Sequence, residues 1–170
     1  PTVVDNTIYV GSNDNNLYAV DASSGEQEWS FETGGAVDSS PTVVDDTIYV
    51  GSRDTNLYAV DASSGEQEWS FETGGRVDSS PTVVDDTVYF GSWDNNLYAV
   101  DASSGEQEWS FETGNWVRSS PTVVNDTVYV GSYDNSLYAV DASSGSEEWS
   151  FGTRGPVYSS PTVVDDTVYV

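Results

Sequence analysis

Short apolar runs separated by polar pairs recur along the whole chain. The runs PTVV and TIYVGS flank the polar pair Asp5-Asn6, which suits a tight hairpin turn. The runs NNLYAV and EQEWSF follow, preceded by Asn13-Asp14 and by the turn sequence ASSG. No apolar positions repeat with a helical period. The pattern therefore predicts four short antiparallel strands and no helix.

This four-strand unit spans 40 residues and is repeated through the chain. Close copies occupy residues 1–40, 41–80, 81–120 and 121–160, and a partial copy occupies residues 161–170. Repeats of about 40 residues with four strands each are typical of propeller blades. We therefore predict an all-β fold in which residues 1–170 form a single β-propeller or a propeller fragment. Its blades are four-stranded and antiparallel, with about four blades per chain.

The residues of each copy resemble a known family. The run Gly91-Ser92-Trp93-Asp94, the run Leu97-Tyr98-Ala99-Val100-Asp101-Ala102, and then Gly105 and Trp109 are similar to the PQQ-like propeller repeat. The resemblance covers essentially the whole chain and recurs in every copy. It implies that the repeat tryptophans pack between neighbouring blades. These structural residues are Trp29, Trp69, Trp109 and Trp149.

One position departs from the family pattern. The family has glycine after the turn aspartate, and this chain has Asn15, Thr55, Asn95 or Asn135 there. Asparagine tolerates a left-handed backbone conformation, and threonine tolerates it much less. We therefore expect an altered turn at Thr55.

The charge of the chain is strongly negative. Its 29 acidic residues face four arginines and no lysine, which gives a net charge of −25. Phosphate binding requires basic residues, so we expect no nucleic-acid partner, and the absence of a long apolar run argues against membrane insertion. The pattern resembles proteins of salt-loving archaea. It implies a high-salt environment, with an extracellular or cell-surface location as one interpretation.

Most differences among the copies fall in two loops. The loop between the second and third strands reads NDNN, RDTN, WDNN and YDNS, and the crossover to the next blade reads GGAVD, GGRVD, GNWVR and RGPVY. An antiparallel meander places both loops at one end of the sheet and the unvarying turns at the other. We name these two ends the variable-loop face and the constant face.

All four arginines and several aromatic residues occupy the variable loops. They are Arg53, Arg76, Arg118, Arg154, Trp93, Trp116, Tyr133 and Tyr158. These residue types are enriched in binding hot spots, and arginines on an acidic body create a local electrostatic contrast. We predict that the variable-loop face binds a protein or a small ligand. Sequence drift is the competing interpretation, because surface loops tolerate change.

Resemblance to PQQ-like repeats also raises the hypothesis of a quinoprotein dehydrogenase, which would hold a quinone cofactor, a calcium ion and a catalytic carboxylate. The chain has no histidine or cysteine and lacks the insertions and the adjacent cysteine pair of that family. Its carboxylates repeat with the unit, whereas a catalytic site needs groups in differing environments. We therefore expect no enzymatic activity, no catalytic residue and no cofactor. The favoured function is an interaction scaffold recently amplified from one blade, with a dehydrogenase fragment as the alternative.

Calcium binding is a further alternative, through loops of the Asp14-x-Asn16 type. A calcium site normally requires six or more oxygen ligands. Aspartate and asparagine at such spacing more commonly stabilise tight turns. We therefore expect no metal site.

Ring closure raises the question of partners. Propellers hold about four to eight blades, and relatives with this repeat commonly have seven or eight. We expect two chains to associate into an eight-bladed ring. Residues 1–10 and 161–170 encode the same strand pair and compete for one position, so the C-terminal pair is a candidate clasp. The chain begins with Pro1 rather than methionine, which is typical of a processed product or an excised piece.

Overall fold

The computed structural model describes residues 1–170 and contains only strands, turns and loops. The first blade comprises β1 (Thr2–Val4), β2 (Thr7–Gly11), β3 (Asn16–Asp21) and β4 (Gln27–Glu32). The second comprises β5 (Thr42–Val44), β6 (Thr47–Gly51), β7 (Asn56–Asp61) and β8 (Gln67–Glu72). The third comprises β9 (Thr82–Val84), β10 (Thr87–Gly91), β11 (Asn96–Asp101) and β12 (Gln107–Glu112). The fourth comprises β13 (Thr122–Val124), β14 (Thr127–Gly131), β15 (Ser136–Asp141) and β16 (Glu147–Gly152), and β17 (Thr162–Val164) with β18 (Thr167–Tyr169) forms a separate hairpin.

Each blade is an antiparallel meander in which consecutive strands are neighbours. In the first blade, Val4 pairs with Thr7 across the first hairpin, and Gly11 pairs with Leu17 across the second. The prediction of an all-β fold with four-stranded antiparallel blades is confirmed. No helix in the structure has the length and apolar character needed to cross a membrane.

The first hairpin of the second, third and fourth blades turns through two consecutive residues with positive φ, and that of the first blade has one, Asp5. In the second blade the two turn residues are Asp45 and Asp46, with φ values of 46° and 42°. Two consecutive residues of this kind are what a two-residue hairpin loop of type I′ requires. The polar pair recognised in the sequence therefore forms the tight turn for which its side chains are suited.

The turn at Thr55 keeps the shape of its counterparts, so the expected alteration does not occur. Thr55 adopts a φ of 81°, compared with 72° for Asn15. The Thr55 carbonyl accepts a hydrogen bond from Thr73 N at 2.8 Å, and the Asn15 carbonyl accepts one from Thr33 N at the same distance. These contacts from the crossover loop hold a β-branched residue in a conformation that it disfavours.

The hydrophobic core lies between blades rather than within them. Three clusters each join two consecutive blades. The cluster between the first and second blades contains Tyr9, Leu17, Ala19, Val37, Ile48, Val50 and Val60. Trp29 packs against this cluster, and its Nε1 donates a hydrogen bond to the Ala62 carbonyl of the next blade at 3.0 Å. Each blade is therefore stabilised mainly by its neighbours.

The innermost strands are joined from blade to blade by side-chain hydrogen bonds, which we name the inner belt. Thr42 Oγ1 donates to the Pro81 carbonyl at 2.6 Å, and Thr82 Oγ1 donates to the Pro121 carbonyl at the same distance. Thr122 makes the equivalent bond to Pro161 at 2.6 Å. Thr2 Oγ1 likewise donates to the Pro41 carbonyl, so the belt extends from the first blade to the C-terminal hairpin.

Candidate binding face

The two variable loops contact each other across every boundary between complete blades. Trp93 N donates to the Arg76 carbonyl at 2.9 Å, and Tyr133 N donates to the Trp116 carbonyl at 2.9 Å. In each case the crossover loop of one blade is hydrogen-bonded to the loop between the second and third strands of the next blade. Backbone hydrogen bonds therefore fix the positions from which the variable side chains project.

Four aromatic side chains from these loops form a continuous series, which we name the aromatic row. The indoles of Trp93 and Trp116 are stacked, with ring centroids 4.4 Å apart and planes inclined by 14°. Tyr133 lies 5.8 Å from Trp116, and Tyr158 lies 6.0 Å from Tyr133. Aromatic pairs at such distances attract one another beyond the effect of buried area alone. The row spans the third and fourth blades.

An arginine extends the aromatic row toward the second blade. The Arg76 guanidinium carbon lies 5.2 Å from the centroid of the Trp93 ring. A guanidinium over an indole face gains a cation–π interaction of about 0.5–1 kcal/mol at an exposed site. One face of Trp93 is therefore covered by Arg76, and the ring also stacks against Trp116.

A buried aspartate lies beside the row. The Asp78 side chain is 2% exposed, and its Oδ1 accepts a hydrogen bond from Arg53 Nε at 3.3 Å. Its Oδ2 lies 3.9 Å from Arg118 Nε. Arg53 also forms an ion pair with Asp38. The four charged groups link the first three blades at the variable-loop face.

Arg118 connects the charged groups to the aromatic row. The Tyr133 hydroxyl, followed by Asp78 and Asp38, raises the pKa of the Arg118 guanidinium above its ordinary value. The guanidinium therefore stays charged at every accessible pH, beside the buried carboxylate of Asp78.

Two polar atoms at this face have no hydrogen-bond partner. They are Asp78 Oδ2 and Trp93 Nε1, and they are the only buried side-chain nitrogen or oxygen atoms in the chain without one. An unsatisfied buried polar group costs about 1–3 kcal/mol. Such groups are rare in folded proteins and call for a structural or functional explanation. Both of them lie at the variable-loop face.

The structure joins seven of the eight predicted binding residues through the contacts described above. Arg154 is the exception: it is exposed and makes no ion pair or cation–π contact within the chain. Reasoning from the sequence did not include Asp38 and Asp78. They occupy the repeat position that holds Arg118 and Tyr158 in later copies. This equivalence is the signal by which the sequence could have identified them as residues of the same face.

The aspartates in the loop between the second and third strands of each blade accept hydrogen bonds from the chain itself. Asp54 Oδ1 accepts from Asn56 N at 3.0 Å, and Asp54 Oδ2 accepts from the Tyr58 hydroxyl at 2.8 Å and from Gly34 N of the preceding blade at 2.6 Å. Burial and then the bond to Asp54 raise the pKa of Tyr58 well above its usual range. These carboxylates thus anchor turns, and no group of three or more aspartate or glutamate side chains is arranged to hold a metal ion.

The constant face carries acidic turns and open grooves. Asp61 Oδ1 accepts hydrogen bonds from the backbone and hydroxyl groups of Ser63 and Ser64, at 2.7–3.1 Å. These bonds lower the pKa of Asp61 to about 2, and the bond from the Ser63 hydroxyl contributes most to this lowering. Grooves of about 750 and 900 Å³ lie between blades at this face, and both are lined by carboxylates and turn residues. The aromatic row lies at the opposite end of the sheets.

Comparison with known proteins identifies a matching family and solved structures that share the fold. The sequence profile of the family described as outer membrane protein assembly factor BamB matches residues 1–114 and 113–170. No curated protein matches the sequence. The solved structure of BamB from Moraxella catarrhalis is similar with a TM-score of 0.85 and 22% identity, covering 95% of this chain and 54% of that chain.

Two further solved structures share the architecture. The computationally designed Ika8 protein has a TM-score of 0.87 and 16% identity, covering 98% of this chain and 52% of that chain. The quinohemoprotein alcohol dehydrogenase ADHIIG from Pseudomonas putida HK5 has a TM-score of 0.80 and 20% identity, covering 99% of this chain and 37% of that chain. At these identities the likeness shows the fold alone. The chain spans about half the length of the first two structures and less of the third.

Proposed function

The chain belongs to the PQQ-like repeat family described as outer membrane protein assembly factor BamB, and we propose that it is a non-catalytic module that binds a protein partner through its variable-loop face. The description of the family names an assembly factor, which is consistent with a protein-binding function. The fold leaves the function open, because one fold hosts many activities. The proposal therefore depends on the site.

The aromatic row is the observation that carries the proposal. Trp116 is 40% exposed and Tyr158 is 64% exposed, although large aromatic side chains usually gain from burial. Trp93, stacked beneath Trp116, is half-buried. Backbone hydrogen bonds and stacking hold the row in place, so little side-chain freedom would be lost when a partner binds. Rigid and partly exposed aromatic residues of this kind are typical binding anchors.

The charge distribution of the chain indicates which side chains the partner should present. The body carries a net charge of −25, and all four of its basic residues lie in the variable loops. Arg76 is exposed at the Trp93 end of the row, and Arg118 is exposed beside Tyr133. A matching partner therefore offers apolar or aromatic side chains to the row and carboxylates to these two guanidinium groups.

The repeated carboxylates support the non-catalytic part of the proposal. Asp21, Asp61, Asp101 and Asp141 all accept hydrogen bonds from the two serines that follow them. All four have a lowered pKa for this same reason. Acid–base catalysis relies on groups whose environments drive their pKa values apart. Here the repeat places the carboxylates in equivalent environments.

The test uses residues that the repeat itself supplies. Trp93→Asn and Trp116→Ala together convert these positions to the residues at positions 13 and 36 of the first copy, so the fold should be retained. The matched control is Glu106→Ser, which introduces on the constant face the residue found at position 146. Each tagged protein is incubated with source-cell extract in high salt, and the captured proteins are quantified by mass spectrometry.

We expect at least one protein to be captured by the parent chain and by the Glu106→Ser control, and to be lost with the double variant. A free synthetic segment of that protein should then bind the parent directly. Equal capture by the double variant, with its circular dichroism unchanged in the far ultraviolet, would contradict the proposed face.

A further inference from the structure

The first and fourth blades expose the two halves of an interface that the chain forms three times internally. At each internal boundary a repeat tryptophan donates to the alanine carbonyl of the next blade, as Trp109 does to Ala142 at 2.8 Å. Trp109 is 8% exposed, whereas Trp149 is 40% exposed and lacks this acceptor. The equivalent carbonyl on the first blade belongs to Ala22, whose side chain is exposed.

The turn glycines show the same mismatch. A Cβ added to Gly145 would lie 2.7 Å from the Trp109 ring, and a Cβ added to Gly65 would lie equally close to Trp29. Only glycine fits against the indole at these positions. Gly25 has the same positive φ, of 72°, but a Cβ there would have no atom within 4 Å. The first blade thus carries a recess shaped for a tryptophan that the chain does not place there.

The aromatic pairs at the blade boundaries repeat this pattern. Phe111 meets Tyr138 of the next blade edge-on, with ring centroids 5.3 Å apart, and two earlier boundaries have the equivalent pair. Phe151 has no such partner and is 61% exposed. Tyr18 is the unmatched tyrosine on the first blade.

The loop contacts add complementary charge. At internal boundaries a crossover glycine donates its N–H to the aspartate of the next blade, as Gly114 does to Asp134 at 2.7 Å. In the fourth blade this glycine is replaced by Arg154, and the matching aspartate is the exposed Asp14 of the first blade. A Cβ at Gly34 would lie 3.1 Å from Asp54, so accommodating Arg154 requires only a small shift of the facing aspartate.

From these four relationships we propose that the fourth blade binds the first blade of a second copy of this chain. Trp149 Nε1 donates to the Ala22 carbonyl of the second copy, the Trp149 ring packs on Gly25, and Phe151 meets Tyr18. Arg154 pairs with Asp14 across the boundary. This assigns Arg154 to an interface between chains and separates it from the aromatic row.

Two such boundaries close a ring of two chains. This chain covers 54% of BamB and 52% of the Ika8 protein in matched length, so two copies supply about the length of one such structure. The four contacts involve β3, β4 and their flanking loops. They do not depend on whether β1 and β2 of one copy or β17 and β18 of the other fill the inner position between the two chains.

Sedimentation equilibrium of the 170-residue chain in about 2 M KCl, where charge repulsion is screened, tests the ring. We expect a mass of twice 18.3 kDa. A mass of 18.3 kDa at all protein concentrations would overturn the proposal, and so would an indefinite series of larger species, because it would show that two chains do not close.

Two substitutions, with a third as their control, test the contacts without disturbing the isolated chain. Gly25→Asn keeps the positive φ, since asparagine tolerates it, and places a side chain where the Trp149 ring must lie. We expect a monomer with unchanged circular dichroism. Arg154→Glu faces Asp14 with a like charge and should weaken association about tenfold, whereas Arg154→Gly restores the internal pattern and should retain the dimer. A dimer of undiminished affinity in both Gly25→Asn and Arg154→Glu would overturn the assigned interface.

Discussion

The Trp116 indole stacks on that of Trp93, with ring centroids 4.4 Å apart and planes inclined by 14°, although Trp93 precedes β11 and Trp116 follows β12. Two indoles this close couple their electronic transitions. We therefore predict a paired positive and negative band in the circular dichroism of the parent. It should disappear in Trp93→Asn and in Trp116→Ala, and persist in Trp149→Phe. Persistence of the band in both loop variants would contradict the stacking.

Thr55 is a site at which a single substitution should stabilise the fold. Its φ of 81° is strained for a β-branched residue, and asparagine occupies the equivalent position in the other copies. Replacing it, as Thr55→Asn, should raise the free energy of unfolding by about 1 kcal/mol. The reverse change, Asn95→Thr, should lower it by a similar amount. Urea unfolding in constant salt measures both, and a loss of stability in Thr55→Asn would show that Thr55 is not strained.

The constant-face turns predict a specific acid response. Hydrogen bonds from serine hydroxyl and backbone groups lower the pKa of Asp61 and Asp101 from 3.8 to about 2. The unfolded state therefore binds more protons in this range, so the stabilisation from these turns is full above about pH 4 and is lost as the pH falls toward 2.

Removing the donors tests that response. Ser63→Ala with Ser64→Ala returns the pKa of Asp61 toward its ordinary value, so the variant should lose less stability than the parent between about pH 4 and pH 2. Urea unfolding at several pH values in constant salt supplies the comparison. Identical losses in parent and variant would show that these hydrogen bonds do not control the aspartate.

Salt should stabilise the fold strongly. The net charge of −25 is carried by a chain of only 170 residues, and the resulting repulsion acts on the compact state. Screening lengths fall from about 10 Å at 0.1 M to about 3 Å at 1 M salt. The melting temperature should therefore rise steeply with KCl over that range and level off above it. A flat dependence would show that the acidic residues are too widely spaced to repel one another.

The regular part of the fold could be predicted because each blade carries its own local signals. Alternation of apolar residues defines the strands, and pairs such as Asp45-Asp46 define the turns. The sequence resembles the family in every copy, and the family profile matches residues 1–170 in two overlapping segments. These signals are local or repeated, so they can be recognised without knowledge of how the blades pack.

The rest depended on packing between blades. Asp78 has the same side chain as many solvated aspartates, and only the approach of Arg53 and Arg118 from other loops reveals that it is buried. Thr55 was expected to change its turn, but hydrogen bonds from the crossover loop override the preference of the residue itself. Arg154 shares its residue type with the other loop arginines and differs from them only in the blade to which it belongs.

The inner belt implies an order in which the molecule opens. Each bond in the belt joins two adjacent blades, such as Thr82 to Pro121, and none spans more than one boundary. Opening therefore requires the loss of contacts at one boundary only, and end blades have fewer boundaries to protect them. In a single chain, such as the monomeric Gly25→Asn variant, backbone amides in β3 should exchange with solvent hydrogen faster than their counterparts in β11. Protection should therefore rise from the first blade toward the middle of the chain.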